Sequence, residues 1–245
     1  MNLATPPTLR TGSPLVLGNE TLQLTITASK HPTIAVFDRR TGFHRTTPLV
    51  TARLMWDALQ RTEEINDTEL VDLRQKDDFE VEFFFRAKRS KIAWSLLLRL
   101  EGSRLSTLIP WSSIEEPRQE QFRLMELMPL PELISGNGTF VVPLKCGALI
   151  KPSQNRQPLG DRLLIYGYQP RHEDLPLLPL CGYYEPEVAG IAAIVGSGDC
   201  DAIYCYNQPG DGTATSAFSL AYRHHWKSPL DPIDREAHYY FLDKT

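Results

Sequence analysis

The stretch 79–109, FEVEFFFRAKRSKIAWSLLLRLEGSRLSTLI, carries the pattern that decides the fold. Over 79–86, aromatic and aliphatic side chains alternate with charged ones, the period expected of a half-buried strand. Polar turn sequences at 87–90 and 101–103 separate this strand from two further apolar runs. Short strands joined by such turns predict an antiparallel meander. A meander buries one face, so the sequence also predicts a second layer packed against it.

The same alternation extends along the chain in both directions. Leu22, Leu24 and Ile26 alternate with polar residues, and 33–37 is a short apolar run closed by a turn at Gly42. The segment 49–61 fits a helix or a strand, and its strand neighbours favour a strand. The segment 110–135 contains four prolines and predicts a long excursion or crossover.

The sequence as a whole predicts an all-β protein. Continuing the count to the C-terminus gives roughly 12–18 antiparallel strands with few or no helices. The 19 prolines argue against a helical bundle, because proline breaks helix interiors. Nothing in the composition divides the chain, so residues 1–245 are expected to form a single large β-sandwich domain.

Charge and hydropathy exclude several classes of function. The formal net charge is −4, which argues against nucleic acid as a partner, since phosphate contacts need a basic surface. No run of about 18 apolar residues occurs, so no membrane partner is expected. The N-terminal sequence lacks the basic and apolar regions of a signal peptide, which predicts a cytoplasmic protein.

Motif searches favour neither a cofactor nor a metal. The chain has no P-loop, GxSxG or HExxH sequence, and the glycines of 196–198 fit a hairpin turn better than a nucleotide loop. Its four cysteines include no CxxC pair, so no structural zinc site is predicted. Asp199, Asp201 and Asp211 lie in turns without EF-hand spacing, which leaves calcium binding open.

Weak candidates for acid–base catalysis lie in the last third of the chain. Glu185 follows a tyrosine pair, while His172 and His224 lie in polar segments near prolines or tryptophan. A carboxylate and an imidazole are the groups that sugar ring opening requires, one as base and one as acid. The sequence alone does not bring these residues together.

Aromatic residues beside loops suggest a saccharide-binding surface. Tyr183, Trp111 and Trp226 lie next to prolines or loops, where a ring can remain exposed and stack on the apolar face of a sugar. Glu185 and His172 are the polar side chains expected to accept or donate hydrogen bonds to its hydroxyls. These five residues are the predicted carbohydrate-binding set.

Several segments resemble one known family. They are Asn19–Leu24, the strand ending in Phe37–Gly42, Leu130-Pro131, Thr139–Pro143, Leu178–Gly182, Val188–Val195 and Ala237–Leu242. Together they resemble the galactose-mutarotase-like β-supersandwich, as found in the N-terminal domain that precedes the (β/α)8 catalytic barrel of many glycoside hydrolases. The resemblance spans most of the chain and implies a supersandwich fold.

The resemblance implies an association with carbohydrate rather than a specific reaction. In those glycosidases the cleaving carboxylates lie in the barrel, which this sequence lacks, and the loop 143–147 lacks their aspartate. The expected function is that of a non-catalytic domain that binds saccharide or packs on a (β/α)8 catalytic domain in cis. One alternative is an aldose 1-epimerase-type enzyme with a Glu/His pair, and another is a structural or protein-interaction module.

Overall fold

A computed structural model describes residues 14–56, 61–64, 67–144, 147–154, 157–166, 178–223 and 228–243. These residues form twenty strands and two single-turn 3-10 helices, Trp111–Ser113 and Asp199–Asp201, and they contain no α-helix. The all-β prediction is therefore confirmed, with a few more strands than the 12–18 expected because several strands have only three or four residues. No helix in the described ranges is long and apolar enough to cross a membrane.

The strands in chain order are β1 (Leu15–Gly18), β2 (Leu22–Thr27), β3 (Thr33–Asp38), β4 (His44–Pro48), β5 (Val50–Trp56), β6 (Arg61–Glu64), β7 (Thr68–Gln75), β8 (Glu80–Ala87), β9 (Ala93–Glu101), β10 (Arg104–Ile109), β11 (Phe122–Pro129), β12 (Ile134–Gly136), β13 (Thr139–Val142), β14 (Ala148–Ile150), β15 (Leu159–Leu164), β16 (Leu180–Glu185), β17 (Ala189–Ser197), β18 (Ala202–Gln208), β19 (Ala214–Ala221) and β20 (Arg235–Leu242).

Three antiparallel sheets contain these strands. A nine-stranded sheet has the order β14-β13-β16-β17-β20-β10-β9-β8-β7, and a seven-stranded sheet contains β15-β18-β19-β11-β5-β6, with β12 beside β19. The first four strands form a separate four-stranded sheet in sequence order. The predicted meander over 79–109 is confirmed as β8, β9 and β10, paired in sequence.

The two large sheets pack face to face. The ring of Phe140 in the nine-stranded sheet lies 5.8 Å from that of Tyr206 in the seven-stranded sheet, edge to face. The Tyr239 hydroxyl donates a 3.1 Å hydrogen bond to the Pro129 carbonyl across the same interface. The four-stranded sheet packs at one end, where the Phe43 ring lies 6.3 Å from that of Phe241. One continuous hydrophobic core results.

The expectation for 110–135 is wrong in part, because this segment contains a central strand. β11 pairs with β5 on one side and β19 on the other. The prolines do not prevent this, since Pro110 and Pro117 precede the strand and Pro129 is its last residue. The segment 49–61 does form a strand, β5, over its described part.

Candidate functional site

The outer face of the seven-stranded sheet carries a groove floored by small side chains. Along β19, Phe218 and Leu220 point into the core, so Thr215, Ala217 and Ser219 point to the other face. Neighbouring β18 places Cys205 and Asn207 on that face. Because these side chains are short, the sheet surface is concave there, and the groove has a volume of about 420 Å³. That volume lies in the range of small-molecule sites.

The walls of the groove come from two separate parts of the chain. Arg162 and Gly160 on the edge strand β15 form one side, and Met128 near the end of β11, with Pro131 and Glu132 just after that strand, forms the other. With Asp161, the lining therefore combines a guanidinium, two carboxylates, an amide and hydroxyls with apolar surface. This mixture can accept and donate hydrogen bonds while covering an apolar ligand face.

Glu126 is the buried charge of this sheet face. Its Oε1 accepts a 3.0 Å hydrogen bond from Arg53 Nη1, and its Oε2 accepts one of 2.6 Å from Ser219 Oγ. Arg162 Nη2 also donates to Oε2. Two cations and a hydroxyl thus satisfy a carboxylate whose side chain is only 10% exposed, as a buried charge requires.

A backbone irregularity positions Glu126. The register of β11 against β5 shifts between Leu124 and Glu126, which marks a β-bulge at Met125. Leu124 and Leu127 both face the core, while Glu126 between them faces the groove side. In a regular strand Leu124 and Glu126 would share a face. The bulge therefore places the one carboxylate of this strand on its outer face.

Cys205 lies between Arg162 and the floor of the groove. Its Sγ accepts a hydrogen bond of 3.3 Å from Arg162 Nη1. Burial raises the pKa of this thiol to about 11, and the neighbouring guanidinium only partly offsets the effect. The thiol is therefore neutral at physiological pH and acts as a weak acceptor for Arg162.

The predicted residues Tyr183 and Glu185 lie elsewhere, at the end of β16 near the four-stranded sheet. The expectation of a surface position for Tyr183 is wrong: its side chain is 1% exposed and its ring lies 5.0 Å from that of Phe140. Its hydroxyl donates to Glu185 and accepts a 3.2 Å hydrogen bond from the Gly138 N–H. Burial and the Glu185 carboxylate raise the pKa of the Tyr183 hydroxyl.

Glu185 is engaged in the same cluster. Its Oε1 accepts a 3.1 Å hydrogen bond from Arg45 Nη2, and the Arg45 guanidinium lies over the Phe43 ring at 4.5 Å from its centroid. Arg45 belongs to β4, so this cluster ties the four-stranded sheet to the nine-stranded one. These contacts indicate that Glu185 has a structural role, because they join two sheets.

Trp111 is exposed, as predicted, but it lies far from Tyr183. Its side chain is 43% exposed on the 3-10 turn that follows β10. Strand registers place Ile109 opposite Arg235 and Tyr183 level with Phe241, at opposite ends of β20. Six residues of strand separate those ends by about 20 Å. The two aromatic residues cannot stack on one sugar ring.

The remaining predicted residues, His172, His224 and Trp226, lie outside the described residues. Three other histidines, His31, His44 and His238, are described, and none lines the groove. In the described ranges no cluster of His, Cys, Asp and Glu has the arrangement of a metal site. Of the turn aspartates, Asp201 pairs with Arg235, and Asp211 accepts hydrogen bonds from Thr213.

Sequence reasoning missed Glu126 and the groove. The partners of Glu126 come from positions 53, 162 and 219, so no local motif joins them. One signal was available: Glu126 interrupts the run Leu124–Pro129, which is otherwise apolar. A lone acidic residue in an apolar strand indicates a paired charge.

Comparison with known proteins shows which solved structures share this fold. No family model and no curated protein sequence matches the chain. Among solved structures, an α-N-acetylgalactosaminidase from Bifidobacterium bifidum superposes with a TM-score of 0.63 at 11% identity, over 94% of this chain and 36% of its own. A galactose mutarotase related enzyme from Lactobacillus acidophilus superposes with a TM-score of 0.52 at 8% identity, over 95% of this chain and 98% of its own. The fold is galactose-mutarotase-like.

The similar enzymes differ in how much of their chain this fold occupies. An α-galactosidase from Geobacillus stearothermophilus superposes with a TM-score of 0.54 at 8% identity, over 94% of this chain and 41% of its own. The supersandwich thus spans well under half of the two glycosidases but nearly all of the mutarotase-related enzyme. At these identities the likeness establishes the galactose-mutarotase-like fold predicted from the sequence segments, and the fold alone.

Proposed function

We propose that this chain is a carbohydrate-associated supersandwich that binds saccharide in the groove of the seven-stranded sheet. The observation that carries the proposal is the fixed polar centre beside a small-residue floor. Arg162, which lines the groove, is held by Glu126, so its remaining N–H groups have set directions for sugar hydroxyls. Asn207 and Glu132 add an amide and a carboxylate at the rim.

The same contacts favour binding without catalysis. Both oxygens of Glu126 already accept hydrogen bonds from cations or a hydroxyl, which leaves them poorly placed to transfer a proton. The neutral Cys205 thiol supplies no nucleophile. We therefore propose a binding role for the groove, with the epimerase as the alternative that polarimetry must exclude.

Isothermal titration tests the binding proposal. The ligands are galactose, N-acetylgalactosamine and raffinose, chosen from the names of the similar enzymes and of a raffinose complex of the Geobacillus α-galactosidase. Saturable heat is expected with at least one ligand. Ala217→Phe fills the floor and should abolish it, whereas Val16→Phe, at an exposed position of β1, should leave it intact. No heat from the folded wild type with any ligand would refute the proposal.

We also propose that a catalytic domain accompanies this fold in the working protein. The support is the share of the two glycosidase chains that lies outside the superposed region. An antibody against this chain, used on extracts of its source, measures the native mass. A mass well above 27.8 kDa supports the proposal, and a mass of 27.8 kDa contradicts it.

A further inference from the structure

One half of the nine-stranded sheet is apolar on both of its faces. In β13, β14, β16, β17 and the end of β20, alternate residues such as Phe140 and Ile191 enter the core. The outward positions between them carry Val141, Leu149, Tyr184, Ala192, Ile194 and Leu242. We call these six residues the apolar face.

The apolar face is open to solvent among the described residues. Leu149 is 66% exposed, Leu242 49% and Tyr184 37%. From Leu180 to Tyr184 and from Gly190 to Ile194, no outward position is charged. The outward face of a solvated antiparallel sheet is normally polar, and a contiguous exposed apolar patch indicates an interaction site.

The other half of the same sheet shows the usual pattern. There the outward positions of β8, β9 and β10 include Glu80, Arg99 and Arg104, which pair with neighbouring charges. The contrast within one sheet shows that the apolar face is a local property. It is not a consequence of strand composition across the molecule.

The centre of the apolar face carries small side chains. Gly182 pairs with Ala192, and Gly190 pairs with Tyr184, so two glycines and an alanine lie between the larger side chains. Gly182 has no room for a side chain without a shift, since a Cβ would lie 3.0 Å from the Ile191 carbonyl oxygen. A sheet surface without large central side chains can pack against another sheet at about 10 Å.

The size of the face fits a weak protein interface. β14 has three residues, β13 four and β16 six. Five strands of about 4.5 residues at about 4.8 Å spacing give roughly 350 Å² per copy, or about 700 Å² for two copies, the size of a weak, transient contact. An uncharged face offers no electrostatic selection for a partner of opposite charge, whereas a second copy presents a surface that matches it in size and neutrality.

We propose that two copies of this chain associate through the apolar face about a two-fold axis near Ala192. Each copy contributes the same residues, as an isologous contact requires. Leu149, Tyr184 and Leu242 then become buried at the rim of the contact, and Ala192 and Ile194 form its centre. This association is independent of saccharide binding, because the groove lies on the other sheet.

Light scattering with size-exclusion chromatography tests the proposal. The mass of the wild type is expected to rise towards twice the 27.8 kDa of the chain as its concentration approaches about 100 μM, and Ala192→Glu is expected at the single mass throughout. Val16→Glu, an equivalent charge at an exposed valine of the four-stranded sheet, should keep the double mass. A wild type that stays monomeric up to about 100 μM, where even a micromolar interface is populated, would overturn the proposal.

A second measurement needs no variant. Hydroxyl-radical footprinting of the wild type at rising concentration should show Tyr184 becoming protected while Trp111, on the 3-10 turn, stays reactive. Protection of both residues, or of neither, contradicts the apolar face as the contact. Circular dichroism shows whether the Ala192→Glu variant is folded. If the variant is unfolded, its mass carries no weight, and the wild-type footprint alone tests the proposal.

Discussion

Arg162 donates a hydrogen bond to Glu126 across two intervening strands of the seven-stranded sheet. Arg162 lies on the edge strand β15 and Glu126 on the central strand β11, with β18 and β19 between them. The guanidinium can span this distance because the residues beneath it, Cys205 and Ala217, are small. The pair therefore bridges the concave part of the sheet and fixes the direction of the Arg162 donors.

Arg162→Ala should weaken saccharide binding while the protein remains folded. Loss of a charge-assisted hydrogen bond is worth about 1.5–3 kcal/mol, so affinity should fall at least about tenfold. Titration calorimetry with the best ligand of the panel measures the change. Arg104→Ala removes a comparable paired arginine from the other sheet and should leave affinity unchanged. Equal losses in the two variants would contradict a role for the groove.

Gly136→Ala should destabilise the fold much more than Gly42→Ala. Gly136 has φ +143°, and a Cβ there would lie 2.3 Å from the Tyr183 hydroxyl oxygen, whereas Gly42 has φ +76° and open space around it. Overpacking added to backbone strain should cost about 3 kcal/mol at Gly136, against about 1 kcal/mol at Gly42. Urea unfolding compares the two. Similar losses would mean that Tyr183 moves aside freely.

The protein should not accelerate mutarotation. Tyr183 and Arg45 already engage the Glu185 carboxylate, and no described histidine contacts it. Polarimetry of freshly dissolved glucose and galactose should give the uncatalysed rate for the wild type and for Glu185→Gln alike. An acceleration that Glu185→Gln abolishes would establish the epimerase and refute the binding-only proposal.

Glu80 should stabilise the protein at neutral pH but not in acid. Burial tends to raise its pKa, but hydrogen bonds from Arg99 and Lys76 outweigh burial and lower the pKa from its ordinary 4.5. A lowered pKa gives stabilisation that is complete above the unfolded value and lost as pH falls through the folded value. Glu80→Gln should therefore cost about 1.5 kcal/mol at pH 7, and little well below pH 4.5.

Urea unfolding of wild type and Glu80→Gln at the two pH values gives this difference. The control is Glu120→Gln, because Glu120 is exposed and forms no ion pair among the described residues. Its stability should follow that of the wild type at both pH values. If the free energies of unfolding of wild type and Glu80→Gln still differed in acid, the substitution would have removed a packing contact and not a charge interaction.

The pattern of neighbouring residues predicted many of the strands and turns, because the alternation of a strand and the residues of a turn are properties of adjacent positions. The meander of β8, β9 and β10 and the turn at Gly42 follow directly from that pattern. Tyr183 could not be placed this way. Its burial depends on Gly136 and Gly138, which leave room for its hydroxyl from 45 or more residues away in the chain.

The candidate site escaped prediction for the same reason. Glu126, Arg53 and Arg162 meet only because β11 is central in its sheet, and the prolines around that strand suggested a crossover. The position of one strand in a sheet depends on all its long-range pairings, which no window of sequence contains.

The bulge at Met125 makes this site tolerant of a change in chain length at one position. Met125 is the extra residue of the bulge, so deleting it would leave Leu124 opposite Leu54 and Glu126 opposite Arg53 in a regular ladder. Leu124 and Leu127 would then still face the core, and Glu126 would still face the groove. Descendants of this chain could therefore lose the codon for Met125, or replace it, and still carry the site.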